Sequence, residues 1–297
     1  MPAAPPIWLI ELIVPVAALP VFQGVLDGRA EAVSMFEAKP DGSIWRISGY
    51  TDHEPDRAGI ETAAALAAGA AQIGRPAIRI EKLADRDWLA ENRRDFKPVQ
   101  AGRIFVHPTD QPARTGEGRI AIALDAGPAF GTGGHETTRG CLLALDRLAN
   151  RARFAPKRLL DLGCGSGILA IAMAKLWGQA VDTVDHDPVA VETAAANALA
   201  NEVASLVVTR VGDALKSTTL TGQGPLDLVT ANIVANPLIA IAGDLSHAMA
   251  PGGFAILSGI LREQERQVRA AYRDAGLKAY GSVRLGQWPT LILRRDR

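Results

Sequence analysis

The 297-residue chain has only two cysteines, Cys141 and Cys164. That is too few for a disulfide framework and suits a reducing compartment. It also lacks net charge, with 32 Lys plus Arg against 32 Asp plus Glu. This balance argues against a protein that clings to nucleic acid through bulk electrostatics. Nowhere does an apolar run reach the roughly 18 residues of a membrane span. The opening stretch MPAAPPIWLIELIVPVAALP has no basic start, is interrupted by Glu11 and is broken by Pro15 and Pro20, so it does not read as a targeting segment. The five histidines (53, 107, 135, 186, 247) and the cysteines show no metal-ligand spacing, which leaves no metal site to expect. There is no Gly-x-Ser-x-Gly elbow, since Ser166 directly follows Gly165. Internal repeats are missing, as is low complexity beyond a richness in alanine. What remains is a soluble cytoplasmic protein of ordinary composition, long enough for two domains.

The first 87 residues alternate compactly. IWLIELIV (7–14) reads as a buried strand and VAALPVFQGVLDG as a short helix closing on Gly28. EAVSMFEA and SIWRISGYT are strands joined by Lys39-Pro40-Asp41-Gly42, a hairpin signal. GIETAAALAAGAAQIG is a helix, and AIRIEKL is a closing strand. Strand, helix, strand, strand, helix, strand is the ferredoxin-like order, although other small α+β sandwiches fit the same alternation. Residues 88–118 lose periodicity and gather Arg, Lys, Pro and Gly. They read as a connector with a strand-like island at RIFVHP, or equally as an irregular start to the second domain.

From 119 to 297 the apolar runs RLLDL, AVDTVD, SLVVTRV, LDLVTANIV and GGFAILSGI alternate with helical runs, among them NPLIAIAGDLSHAMA and EQERQVRAAYRDAG. Near-continuous apolar strands separated by helices imply an α/β domain, a parallel sheet covered on both faces. The tail LKAYGSVRLGQWPTLILRR offers two strands with a short turn, hence an antiparallel pair at the sheet edge.

The chemistry concentrates in Asp161-Leu162-Gly163-Cys164-Gly165-Ser166-Gly167, between a strand and a helix. Gly163 and Gly165 permit a tight turn and close approach to a ligand. The dinucleotide fingerprint fails, because position 168 is isoleucine. Asp161 would repel a pyrophosphate and attract a cation, such as the ammonium of a methionine moiety. Asp185 follows Gly163 at the spacing at which an acid accepts hydrogen bonds from ribose hydroxyls. Asp187 suits capping of the helix entered through Pro188. Asp213, after the third strand, could accept from the exocyclic amine of adenine, or simply sit in a turn. Cys164 reads as a spacer between glycines.

These residues resemble the class I S-adenosylmethionine-dependent methyltransferases, and a Rossmann-like fold follows from that resemblance. Two further stretches, AFGTGGHETTRGC (Ala129 to Cys141) and TANIVANPL (Thr230 to Leu238), are similar to signatures of the PrmA family. Members of that family methylate amino groups of ribosomal protein eleven of the large subunit. The resemblance implies cofactor contacts by Thr138, Gly163, Asp185 and Asn232, and a loop of Phe130, Thr132 and Gly133 lying over the cofactor. It also implies that residues 1–87 recognise the substrate protein and that 119–297 form the methyltransferase domain. His135 lies in the loop, with two readings open: a direct chemical role, or ordering of the loop by hydrogen bonding. Asn236 stands where the pattern leads us to expect a small residue such as glycine.

Asn232 is followed by Ile233-Val234 with no aromatic residue to stack a flipped base or planar amide, which favours an amine acceptor. Asn232 is therefore the expected catalytic residue, aligning a neutral amine without a strong base. Residues 1–87 carry 12 acidic against 8 basic residues, a net of −4, which suits a basic partner as well as it suits an ordinary solvated surface. The expectation is a monomeric lysine or α-amino methyltransferase that touches neither nucleic acid nor membrane. A lysine methyltransferase acting on the electron-transfer flavoprotein β subunit is the alternative. An NAD-dependent oxidoreductase is disfavoured by Asp161 and the failed fingerprint.

Overall fold

Leu9 to Val14 alternate between a face that must be buried and one that need not be, and this period of two places them in a strand. In the computed structural model, residues 7–39, 41–83, 98–111, 116, 118–124, 134–152, 154–212, 215 and 224–296 are described. The chain divides into two compact units, residues 1–87 and 88–297. The first contains β1 (Trp8–Pro15), α1 (Leu19–Leu26), β2 (Ala32–Glu37), β3 (Ile44–Thr51), α2 (Arg57–Ala70) and β4 (Ile78–Lys82). Its strands lie in the order β2-β3-β1-β4 with antiparallel pairing throughout, the ferredoxin-like arrangement expected from the sequence. Ile10, Leu12 and Val14 are fully buried, and Leu12 and Val14 face Ile47 and Trp45 across the β1–β3 ladder. Phe22 and Leu26 of α1 join them, as do Ile60, Ala64, Ala67 and Ala68 of α2, spaced to make one helical stripe. The Asp56 side chain caps α2 by accepting from Gly59 N–H at 3.1 Å.

The second unit opens with a small sheet of β5 (Val99–Ala101), β6 (Ile104–His107) and β7 (Ile120–Ala123), so the stretch read as a connector carries ordered strands. Asn201 ties this sheet to the main body: its amide oxygen accepts from Ala123 N–H at 2.9 Å and its NH2 donates to Ala123 O at 2.6 Å. Arg103 and Asp146 add an ion pair at 2.7 Å.

After α3 (Glu136–Ala149) comes the main alternation. It comprises β8 (Leu159–Leu162), α4 (Ile168–Trp177), β9 (Val181–Asp185), α5 (Pro188–Ala200), β10 (Val207–Val211) and β11 (Leu226–Asn232). The chain then runs through α6 (Ala235–Ala240), α7 (Ala242–Ala248), β12 (Met249–Ser258), α8 (Glu265–Asp274), β13 (Leu277–Leu285) and β14 (Trp288–Arg295). The seven strands are ordered β10-β9-β8-β11-β12-β14-β13. The first five are parallel, and β14 runs antiparallel to both β12 and β13. Successive residues serve opposite faces: Leu159 packs with the residues of α3 and α4, Leu160 with those of α6, α7 and α8. The sheet is thus covered on both sides, as parallel sheets require. The run read as one helix over 236–250 divides at Ile241 into α6 and α7, and its last two residues, Met249 and Ala250, already belong to β12.

Candidate active site

Strand order reverses at β8, whose neighbours β9 and β11 lead the chain outward in opposite directions, so a crevice opens at the carboxyl ends of these strands. Residues from all three ends converge there. Gly163, Gly165 and Gly167 follow β8 with φ of 67°, 52° and 76°, left-handed values that side chains resist. The backbone N–H groups of this turn are nearly all committed. Gly163 and Cys164 donate to Val184 O at 2.8 and 3.3 Å, and Gly167 donates to Cys164 O at 2.8 Å. Gly165 N–H donates to the Asp185 carboxylate at 2.9 Å. A turn that cradles phosphate needs those groups free. Here the protein's own backbone carbonyls and the Asp185 carboxylate take them.

Asp161 is 1% exposed. One of its oxygens accepts from the Thr230 hydroxyl at 2.6 Å, the other from Ala170 N–H in the first turn of α4 at 3.2 Å. Burial pushes its carboxyl up to about 7, with Asp185 adding to the rise and the two hydrogen bonds opposing it. Asp161 therefore fastens β8 to β11 and to α4, a structural duty that the sequence did not reveal. Asp185 ends β9 with one oxygen on Gly165 N–H and the other on Asp187 N–H at 3.1 Å. A carboxylate has about four lone-pair sites, so Asp185 retains acceptor capacity for ligand hydroxyls. Asp187 caps α5 by accepting from Val189 N–H at 2.8 Å.

Neither Asp161 nor Asp185 meets a lysine or arginine among the described residues; the nearest cationic candidate is the 91% exposed His186, 3.3 Å from Asp185. Elsewhere in the unit, buried Asp146 pairs with Arg103, Asp182 with Arg158 and Arg210, and Glu265 with Arg269 and Arg284. Two buried carboxylates without a strong cation, at the ends of adjacent strands β8 and β9, suit a positively charged ligand bearing hydroxyls.

The third strand end supplies Asn232. Its amide NH2 donates to the hydroxyl of Thr138, a buried residue in the first turn of α3, at 3.3 Å. That bond joins β11 to α3 and orients the amide. Its oxygen Oδ1 is buried and has no hydrogen-bond partner among the described residues. An orphan acceptor costs free energy unless a ligand donor completes it. Ile233, the next residue, sits tightly: a Cβ at Gly259 would fall 2.5 Å from its carbonyl oxygen. Asn236 is exposed in α6, so a side chain larger than glycine is accommodated there.

His135 proves to be the N-cap of α3, its Nδ1 taking the Thr137 N–H at 3.3 Å and lying 2.8 Å from the Thr137 hydroxyl. Its ring stands edge-on to Trp288 at 4.8 Å. Burial holds the imidazole below its usual value, against a weaker upward pull from Glu136. Cys164 is buried in the turn. Burial pushes its thiol well above the ordinary range, with Asp161 and Asp185 reinforcing this, so it is no thiolate nucleophile at neutral pH. Phe130, Thr132, Gly133 and Asp213 lie outside the described residues. Sequence reasoning missed Thr230, the partner of Asp161; the pairing of β8 with β11 that brings them together is not readable from local pattern.

This geometry can be set beside known proteins. A family described as ribosomal protein L11 methyltransferase (PrmA) matches residues 24–296. The ribosomal protein L11 methyltransferase of Rhizobium etli is 41% identical over 267 residues, 89% of each chain. That of Rhizobium meliloti is 39% identical over 284 residues, 94% of each chain. The crystal structure of ribosomal protein L11 methylase from Lactobacillus delbrueckii subsp. bulgaricus superimposes with a TM-score of 0.60 at 28% identity, covering 68% of this chain and all of that one. The chain belongs to the ribosomal protein L11 methyltransferase (PrmA) family.

Proposed function

We propose that this protein transfers methyl groups from S-adenosylmethionine to lysine ε-amino or N-terminal α-amino groups of ribosomal protein L11 in the cytoplasm, with residues 1–87 recognising the substrate protein. The observation that carries the reading is the buried, unpartnered Oδ1 of Asn232, held in place through Thr138. S-adenosylmethionine, when bound, supplies a methyl group already activated on a sulfonium sulphur. The donor set fits it: Asp185 has acceptor capacity for ribose hydroxyls, Asp161 is a carboxyl that a nearby cation would draw into its charged form, and the turn's N–H groups are largely taken and so unavailable to phosphate. Gly163, Gly165 and Thr138 complete the residues that would hold it.

The chain's own task is proximity and orientation, with no covalent intermediate. A lysine amine titrates near about 10.4 and an α-amine near about 8, so the acceptor must first shed a proton. Desolvation in the crevice favours the neutral amine. Asn232 Oδ1 accepts an N–H of that amine and so aims its lone pair; a neutral amide takes no proton. The flavoprotein alternative finds no support in the relatives or in the geometry.

Incubating the protein with labelled S-adenosylmethionine and a cell lysate tests the reading. A single labelled band at the mass of L11 is expected. Label only in a larger flavoprotein subunit would overturn the substrate.

A further inference from the structure

Whole-chain neutrality hides an uneven distribution of charge. Helix α8 and the turn leading into it carry Arg262, Arg266, Arg269 and Arg273 at spacings of four, three and four, which puts them on one helical stripe. Arg284 of β13 joins them around a cleft of about 640 Å³, otherwise lined only by Glu265 and Ala270. Glu265 is spent internally, on Arg269 at 2.7 Å and Arg284 at 3.0 Å. Arg273 takes Asp274 at the surface. Arg262 and Arg266 are exposed, and their guanidinium groups have no partner among the described residues. Glu263 is the other acid of the turn and does not line the cleft.

An ordinary solvated helix face mixes signs. Here the like-charged neighbours Arg266–Arg269 and Arg269–Arg273 oppose helix formation, and Glu265–Arg269 is the one compensating i,i+4 pair. The cationic side chains are all arginine, whose planar fork matches phosphate oxygens and is more weakly hydrated than an ammonium. The cleft offers no aromatic or large apolar wall to seat a peptide side chain. A basic substrate protein would be repelled. We propose that this stripe binds the phosphodiester backbone of RNA, through charge and without base readout. Choosing RNA among polyanions rests on the ribosomal substrate proposed above, since ribosomal proteins meet ribosomal RNA. The expectation of no nucleic-acid contact drew on the sum of charges, whereas binding responds to their local density.

The test uses the full chain and a fluorescently labelled 20-nucleotide polyuridylate, with anisotropy read over a salt series. Four phosphate contacts give a slope of log affinity against log salt near −3, so roughly 50-fold weaker binding between about 50 and 200 mM salt. In the double variant R266Q/R273Q the slope should shrink by about 1.4. Methylation of free substrate protein by that variant should be unchanged, so failure here is separable from failure of the proposed activity. Absence of salt-dependent binding would overturn the proposal, as would a slope the double variant leaves unaltered. Equal competition by polyglutamate would reassign the stripe to an acidic protein segment and overturn it too.

Discussion

The two units bury different things. Among the described residues, the only polar side chains fully buried in the first unit are Ser48 and Thr51, while its core is Ile10, Leu12, Phe22, Trp45 and Ile60. The second unit buries Asp146, Asp161, Asp182, Asp185 and Glu265 together with a set of hydroxyls. Three of those carboxylates meet arginines, and two meet none. An unfilled electrostatic demand is costly to fold and persists where a ligand answers it. The proposed function places the chemistry in the second unit and substrate recognition in the first, and this contrast in burial supports that division.

The comparison is tested most strongly in the first unit. Phe22 is completely buried, and Phe22→Ala should cost that unit about 3–5 kcal/mol. Denaturant melts should then show an early transition and labelling of L11 should fall, with the dissociation constant for S-adenosylmethionine unchanged. A variant that loses donor affinity equally would show that the division of labour is wrong.

Next comes Asn232→Ala, which removes the orphan acceptor and the bond to Thr138. On the order of a 10²-fold loss in kcat is expected, about 2.7 kcal/mol, measured at saturating donor. Full turnover would discard the amine-aligning role.

How much of this was legible in the sequence follows from the range of each interaction. β1 to β4 and the glycine turn rest on local period and local dihedral demands, and the expected strand at 7–14 lies one residue from the observed Trp8–Pro15. The Thr138–Asn232 and Asp161–Thr230 bonds span 94 and 69 residues. No periodicity encodes such distances; resemblance to a family picked out Thr138 and Asn232 but left Thr230 invisible. The break at Ile241 was missed because 236–250 keeps a continuous apolar texture through it. The strand-like island expected at RIFVHP covers the observed strand 104–107, whereas the strand at 99–101 went unread because three residues carry too little period.

Asp161→Asn sharpens the contrast between paired and unpaired carboxylates. With its folded value near 7 against 3.8 unfolded, Asp161 contributes stability that is complete below 3.8 and lost as pH rises through 7. Asparagine keeps both contacts, accepting from Ala170 N–H and donating to the Thr230 hydroxyl. The ligand-free wild type should lose about 2 kcal/mol relative to this variant between about pH 5 and pH 8. Parallel pH profiles of thermal stability would exclude it. Donor binding should weaken in the variant because the negative charge is gone.

The smallest effect concerns His135. As the N-cap of α3 it accepts the Thr137 N–H only through an unprotonated Nδ1. Removing a cap costs about 1 kcal/mol, so His135→Ala should lower stability by that order and turnover by less than about 10-fold. The folded imidazole titrates below its unfolded value, so its contribution is present above about 6.5 and disappears as pH falls through the lower folded value. Acidification should then destabilise the wild type more than His135→Ala, bringing the two melting temperatures together. If the gap stayed constant with pH while kcat fell by orders of magnitude, His135 would be a catalytic group and not a cap. The second unit would then hold one more reacting residue.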